Sequence, residues 1–135
     1  MIMNFKDLNV YQRAYKAAID LHLFLNAKKT QVPPQCEEGL RRVSREILSG
    51  IAEGVNQPTP KSKRFVNFKA LGAIRGMLLE LELLSDTKGI PAEEFKHLYG
   101  EYEICAKQLY KLNQSILEKE KSTGKEVESE TQVKA

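Results

Sequence analysis

Glu94 and His97 form a short motif that is known from helical metalloenzymes. Di-iron bundles use a Glu-x-x-His motif on each of two helices and one further Glu on each of the other two. This sequence supplies a single copy, because the residue three positions before His22 is Ile19. Glu94 and His97 also flank an apolar pattern at the predicted start of a helix, which indicates solvent exposure. We therefore expect no metal site and no cofactor.

His22 lies on the apolar face of a predicted helix. A histidine there most often forms a structural hydrogen bond, although a pore-lining or a ligand position is also open. No arginine stands four to six residues before either histidine, so the Arg-x4–6-His motif of helical ribonucleases is absent. A glycine-rich phosphate loop and a Ser/His/Asp arrangement are absent as well. The sequence thus predicts no catalytic residue, no enzymatic activity and no small-molecule substrate.

Cys36 and Cys105 are the two cysteines of the chain, and they are too far apart for a CxxC motif. Lone thiols without that spacing do not form a recognisable metal site. Both cysteines fall on apolar helical patterns, where cysteine usually acts as a small hydrophobic residue. We predict that both thiols are buried and reduced.

Basic side chains cluster on the second predicted helix and in the first turns of the third. An arginine guanidinium can bind a phosphate through two hydrogen bonds. The cluster therefore predicts a phosphate-binding surface made of Arg41, Arg42, Arg45, Lys61, Lys63 and Arg64. The alternative is a solvated face, on which Arg42 and Glu46 pair across one helical turn and contribute about 0.3 kcal/mol.

The distribution of charge supports a polarised surface. Residues 1–64 hold eleven Lys and Arg against six Asp and Glu, although the net charge of the whole chain is only +3. In a folded bundle, such an excess in one half of the chain gives one part of the surface a positive potential.

Four amphipathic segments must position these side chains. Apolar residues recur every three or four positions from 7 to 26, from just after Pro34 to Gly54, from 60 to 88 and from 91 to about 119. Thr59 and Pro60 are residue types favoured at the N-cap and the first position of a helix. The most regular pattern is Phe95, Leu98, Tyr102, Cys105, Leu109, Leu112 and Ile116. These segments predict an all-α fold, an antiparallel up-down-up-down four-helix bundle.

The third segment is apolar on more than one side. Leu71, Ile74, Leu78 and Leu81 form one seam, and an adjoining face carries Phe65, Phe68, Gly72, Leu79 and Leu83. A helix buried on two sides is expected if it meets a second subunit as well as its own bundle. Gly72 and Gly76 each cost about 1 kcal/mol relative to alanine in a helix, and close packing with another backbone would offset that cost. We predict an oligomer interface that contains Phe65, Phe68, Gly72, Gly76 and Leu79.

The domain organisation follows from where the apolar pattern stops. We predict one bundle domain over residues 1–118 and a polar, disordered tail over residues 119–135, which is rich in Lys and Glu. No apolar run approaches the roughly 20 residues that a membrane helix needs, and no secretory signal is visible at the N-terminus. We expect a cytoplasmic protein with no membrane partner.

Several motifs together resemble a known family. Residues 5–14 (FKDLNVYQRA) are similar to the family's F-x-D-L-x-V-(W/Y)-Q-x-A start. Residues 40–42 (LRR) and 51–54 (IAEG) match its L-R-R…I-A-E-G core, and residues 65–68 (FVNF) and 79–82 (LELE) resemble its third helix. On these motifs the chain resembles the bacterial four-helix-bundle proteins named after the 23S rRNA intervening sequence.

The resemblance implies a four-helix bundle that assembles as a ring-like homopentamer. It also implies a link to RNA, because members are encoded in insertions inside 23S rRNA genes. Related bundles are accessory proteins of reverse transcriptases, in which a basic pentamer surface is thought to hold nucleic acid. Arg41, Arg42 and Glu53 are the positions that the resemblance marks for binding or for the oligomer interface. The chain departs from the family pattern at Gly39, Val43, Glu46, Leu48 and Gly50, which removes polar groups from the second helix.

Two functions are therefore compatible with the sequence. The first is a non-catalytic homo-oligomer that binds RNA or DNA through a basic surface. The second is a protein-interaction or scaffold module without a nucleic-acid role, which would use the second apolar face of the third helix.

Overall fold

The computed structural model describes residues 4–27 and 32–134 of the chain, and it describes side chains up to residue 123. After a short 3-10 turn (Phe5–Asp7), four helices follow in order: α1 (Asn9–Asn26), α2 (Pro34–Val55), α3 (Pro60–Asp86) and α4 (Ala92–Lys134). Within these ranges there is no strand. The all-α prediction is confirmed.

Each helix packs against the helices before and after it in the chain, and α4 returns to pack against α1. Among the described residues, α1 does not contact α3 and α2 does not contact α4, so these pairs lie diagonally across the bundle. Tyr99, near the start of α4, donates to Glu82, near the end of α3. Asn67, in the first half of α3, donates to Asn113, which lies further along α4. The two helices are therefore antiparallel, as a bundle with short connections requires.

The core is formed by the helical faces that the sequence pattern predicts. On α4, Leu98, Tyr102, Cys105 and Leu109 are completely buried. They pack with the buried side chains of the other helices, which include Leu21, Ile47, Ile51, Ile74, Met77 and Leu81. At about 25 cal/mol per Å² of buried apolar surface, this shared core is the main source of stability.

The ends of α3 are defined by local hydrogen bonds. Thr59 and Ser62 form a capping box, and Pro60 takes the first helical position, as the sequence predicts. At the other end, the Gly89 amide donates to the Leu84 carbonyl at 2.8 Å and Lys88 has a φ of 63°. Lys88, rather than Gly89, thus occupies the left-handed position of this Schellman motif.

Two glycines allow α2 and α3 to approach closely. A Cβ on Gly50 would lie 2.9 Å from the Ala70 Cβ, and a Cβ on Gly54 would collide with the Asn67 side chain. Gly54 lies inside α2, one residue before its end, and no described glycine has a positive φ. Its role is therefore packing, in addition to any role as the stop signal suggested by the sequence.

Gly72 and Gly76 behave differently from the glycines of α2. Among the described residues, no atom lies within 4 Å of the position that a Cβ would take on either glycine, apart from the two adjacent residues and the helix's own nearby backbone. Both glycines therefore face away from the bundle, and close packing inside a single chain does not account for them.

Two details of the fold differ from the sequence predictions. Cys105 is buried as predicted, but Cys36 is exposed, so that prediction is wrong for Cys36. The reason is its position in the first turn of α2, where the apolar face is not yet covered; burial begins at Leu40. Helix α4 also continues past Lys119, and Glu120 pairs with Arg64 of α3. The domain boundary at residue 118 and the disorder of the tail stay predictions.

Candidate nucleic-acid interface

Arg41 is held by an intramolecular network between α1 and α2. Its guanidinium donates to His22 Nδ1 at 2.9 Å, to Asn26 Oδ1 at 2.7 Å and to Glu37 Oε1 at 2.8 Å. The side chain is only 19% exposed. Phosphate binding by Arg41 would require these hydrogen bonds to be broken, so the structure gives this residue a structural role.

The same network fixes the tautomer of His22. A guanidinium has no acceptor, so His22 Nδ1 must accept from Arg41 and must carry no proton. Its Nε2 then donates to Ser44 Oγ at 3.1 Å, and Ser44 donates to the Arg41 carbonyl at 2.7 Å. Burial lowers the pKa of His22, and the positive charges of Arg41 and Arg45 lower it further. Of the three roles left open by the sequence, these contacts support the structural hydrogen bond.

The lowered pKa of His22 predicts a pH dependence of stability. In the unfolded chain His22 takes up a proton near its ordinary pKa of 6.5. In the folded protein His22 stays neutral to a lower pH, because its pKa is lowered. Below about pH 6.5 the unfolded state therefore binds more protons, and the free energy of unfolding falls as the pH falls. Urea denaturation between pH 8 and pH 5 measures this effect.

The control for this measurement is His22→Gln, which has no titrating group at the same position. The difference between the two proteins isolates His22 from all other titrating groups. Identical pH dependence in both proteins would show that His22 has no lowered pKa.

Arg42 and Arg45 are on the exposed face of α2. Their side chains are 64% and 56% exposed, and they pair loosely with Glu46 at 3.7 Å and Glu38 at 3.4 Å. Exposed pairs of this kind contribute about 0–1 kcal/mol, so both guanidinium groups can exchange partners. With Lys69 they line a groove of about 400 Å³ between α2 and α3, which also contains Glu46 and Glu53. This groove has mixed charge.

The three predicted basic residues of α3 differ in their exposure and in their hydrogen bonds to other parts of the chain. Lys63 Nζ donates to the Val55 carbonyl at 2.7 Å and thereby caps the end of α2. Arg64 donates from Nε and Nη2 to Glu120 Oε2, at 2.8 and 2.6 Å. Lys61 is exposed. The six predicted residues therefore do not form one surface: Arg42 and Arg45 lie on one groove, and Lys61 and Arg64 lie on another.

A more uniformly basic site lies between α3 and α4. We call it the basic groove; Arg75, Lys107, Tyr110 and Lys111 line it, together with Leu71 and Ala106. Its volume is about 350 Å³, and no acidic residue is among those that line it. Tyr110 is 52% exposed, so its ring is accessible in the groove that the three cations also line. Such a combination of a stacking surface and cations is typical of sites that bind single-stranded nucleic acid.

The basic groove is not among the sites that the sequence predicts. Lys107, Tyr110 and Lys111 follow one another at intervals of three positions and one position on the outer face of α4, away from the buried Leu98 and Tyr102. That outward spacing is the signal that could have indicated them. Arg75 comes from another helix, 32 positions earlier than Lys107, and only the packing of α3 against α4 brings the two together.

The predicted oligomer interface lies on the surface of the chain. We call it the α3 stripe; it comprises Phe65, Phe68, Gly72, Gly76, Leu79 and Leu83. Its four large side chains are exposed: Phe65 by 65%, Phe68 by 63%, Leu79 by 56% and Leu83 by 52%. Contiguous exposed apolar surface of this kind usually marks an interaction site. Glu53 is exposed on α2 and lines the groove of mixed charge.

Two further titratable side chains are the histidine on α4 and the buried thiol. Within residues 4–27 and 32–123, no three His, Cys, Asp or Glu residues converge as a metal site. His97 pairs with Asp20 at 2.7 Å on the surface. Burial raises the pKa of the Cys105 thiol to about 12, so this thiol is protonated and unreactive. None of the helices in the described ranges is long and apolar enough to cross a bilayer.

Comparison with known proteins adds no assignment. No family model matches the chain, and no curated protein matches it either.

Proposed function

We propose that this protein is a non-catalytic homo-oligomer of four-helix bundles that binds RNA through its basic surface. The resemblance of its motifs to the 23S rRNA intervening-sequence proteins supports membership of that bacterial family and a pentameric ring. The arginines and lysines of α2, α3 and α4 supply the positive surface. The two free thiols, Cys36 and Cys105, fit a reducing compartment and support a cytoplasmic location.

The observation that carries the nucleic-acid role is the basic groove. Three cations and an exposed tyrosine line it together, and no lining residue is acidic. Lys and Arg displace the counterions of phosphates, and an aromatic ring can stack on an unpaired base. Lys61 is an exposed cation in an adjoining groove that shares Arg75 and Tyr110 with the basic groove, so it can extend the contact. Arg42 and Arg45 lie in the separate groove between α2 and α3 and offer a second contact.

Binding of a fluorescent single-stranded RNA, measured by anisotropy across a salt series, tests this role. We expect Lys107→Ala/Lys111→Ala to weaken binding and to reduce the slope of log K against log salt by about 1.4, since each phosphate contact contributes about 0.7. The matched control is Lys6→Ala/Lys96→Ala, which removes two exposed lysines and the same charge. The same titrations with double-stranded RNA and with single-stranded DNA of the same sequence show which nucleic acid the protein prefers.

Two outcomes would contradict the proposal. One is the absence of binding at low salt. The other is an equal loss of affinity in the two double variants, which would indicate a non-specific effect of net charge.

A scaffold function without nucleic acid is the second candidate, and the α3 stripe favours it. Exposed phenylalanine and leucine side chains of this extent can bind a partner protein as well as a second copy of the chain. Oligomers with no affinity for nucleic acid, identified by size-exclusion chromatography with light scattering and by the anisotropy series, would support the scaffold function.

A further inference from the structure

The bundle has a second exposed apolar surface, on the side opposite the α3 stripe. We call it the α1 stripe: Tyr15, Ile19 and Leu23 follow one another at intervals of four residues and are 51%, 44% and 62% exposed. Helices α1 and α3 are diagonal to each other in the bundle. The two stripes are therefore separate surfaces on opposite sides of the molecule.

We propose that the α1 stripe of one copy packs against the α3 stripe of the next copy, in a head-to-tail contact. This proposal rests on the self-association proposed above and identifies the surface that covers the α3 stripe. A two-fold dimer through α3 alone would leave Tyr15, Ile19 and Leu23 in water. A head-to-tail contact buries both stripes in every copy, and its repetition gives a closed ring or a filament.

The shapes of the two stripes are complementary. Gly72 and Gly76 lie in the middle of the α3 stripe with open space beside them, between the larger Phe68 and Leu79. The α1 stripe has no glycine and presents three large side chains. A residue such as Ile19 can therefore enter the shallow region at the two glycines. Close approach of a second backbone there would offset the cost of about 1 kcal/mol that each glycine imposes on α3.

The order of charges along the helices favours an antiparallel crossing. The first half of α3 carries the exposed cations Lys61 and Lys69, and the second half is flanked by the exposed Glu80 and Glu82. On α1 the exposed Lys16 adjoins Tyr15, whereas Asp20 and Glu94 lie near Leu23. An antiparallel arrangement places Lys16 beside the acidic half of α3 and Asp20 beside the basic half. A parallel arrangement would bring like charges together.

The exposed area of each stripe can be compared with that of known interfaces. With about 200 Å² for a fully exposed aromatic side chain, Phe65 and Phe68 together expose about 260 Å² on the α3 stripe, and Tyr15 exposes about 100 Å² on the α1 stripe. Ile19, Leu23, Leu79 and Leu83 add to this area. Standard interfaces bury about 800 Å² per partner, including a polar rim, and the two stripes together can form the apolar centre of such an interface.

Two complementary blocked variants test the head-to-tail contact. Ile19→Arg blocks the α1 stripe, and Phe68→Arg/Leu79→Arg blocks the α3 stripe; all three side chains are exposed, and circular dichroism checks that the fold is kept. By light scattering we expect the unmodified protein to be a multiple of 15.3 kDa and each variant alone to be a monomer. An equimolar mixture should form a heterodimer and nothing larger, because only one free α1 stripe and one free α3 stripe remain. Leu23→Arg provides an independent block of α1.

The outcomes separate this inference from the proposed function. If the unmodified protein is a monomer, the proposed self-association fails. If the unmodified protein assembles and both Ile19→Arg and Leu23→Arg assemble in the same way, self-association stands but the α1 stripe is not its partner surface. A mixture of the two blocked variants that stays monomeric also overturns the head-to-tail contact.

Discussion

Replacing Gly54 by alanine is expected to lower the free energy of unfolding by about 1–3 kcal/mol, the usual cost of overpacking a close contact. The new Cβ would collide with the side-chain amide of Asn67, which is 97% buried and donates to Asn113 at 3.0 Å. To relieve the collision, the amide must leave its partner or α2 must move away from α3. This cost exceeds the gain of about 1 kcal/mol in helix propensity from glycine to alanine.

Gly39→Ala on the same helix is the control for Gly54→Ala. None of the described residues comes within 4 Å of the Cβ position on Gly39 from outside the helix's own nearby backbone, so alanine there should raise the free energy of unfolding by about 0.5–1 kcal/mol. Urea denaturation at one fixed protein concentration measures both, because the stability of an oligomer depends on concentration. Stabilisation by both alanines would show that α2 and α3 do not approach closely at Gly54.

Arg41→Ala is the second substitution for which we expect a large effect, a loss of about 2 kcal/mol, since hydrogen bonds that involve charged groups contribute about 1.5–3 kcal/mol each. The alanine removes the donor to His22, Asn26 and Glu37 at once and uncouples α1 from the start of α2. The loss stays below the sum of three such bonds, because Asn26 is exposed and can bind water instead.

Arg42→Ala, one residue further along α2, is the control for Arg41→Ala. The Arg42 side chain is 64% exposed and its distance to Glu46 is 3.7 Å, so its removal should change the free energy of unfolding by less than about 0.5 kcal/mol. The same urea titrations serve as the measurement. Equal, small effects for the two arginines would mean that Arg41 does not hold α1 and α2 together.

The sequence predicts the features of this protein that depend on one helix at a time. The regular apolar pattern of α4 identifies its buried face, and Thr59 with Pro60 identifies the start of α3, because both signals lie within a few residues. The prediction that Cys36 is buried fails for a related reason. A periodic pattern shows which face of a helix is apolar, but not how far along the helix the neighbouring helices cover that face.

Features that join two helices could not be predicted in the same way. The sequence shows that Arg41 is an arginine in a basic cluster, but its partners His22 and Asn26 are on another helix, 19 and 15 positions earlier. Likewise, the basic groove depends on how α3 and α4 are rotated about their axes, which brings Arg75 to Lys107. In both cases the decisive information is the relative orientation of helices, which periodicity does not contain.

The pair of amides at Asn67 and Asn113 has a consequence for the alignment of the helices. Asn67 is buried and donates to the half-buried Asn113, and Asn113 donates in turn to the Arg64 carbonyl at 3.1 Å. If α4 were shifted along α3 by one helical turn, about 5.4 Å, the apolar side chains of the two helices would still pack against each other. Both amides, however, would lose their hydrogen-bond partners. A single buried asparagine can set the register of packed helices in this way. The amide pair thus selects one register among several that the apolar side chains alone would permit.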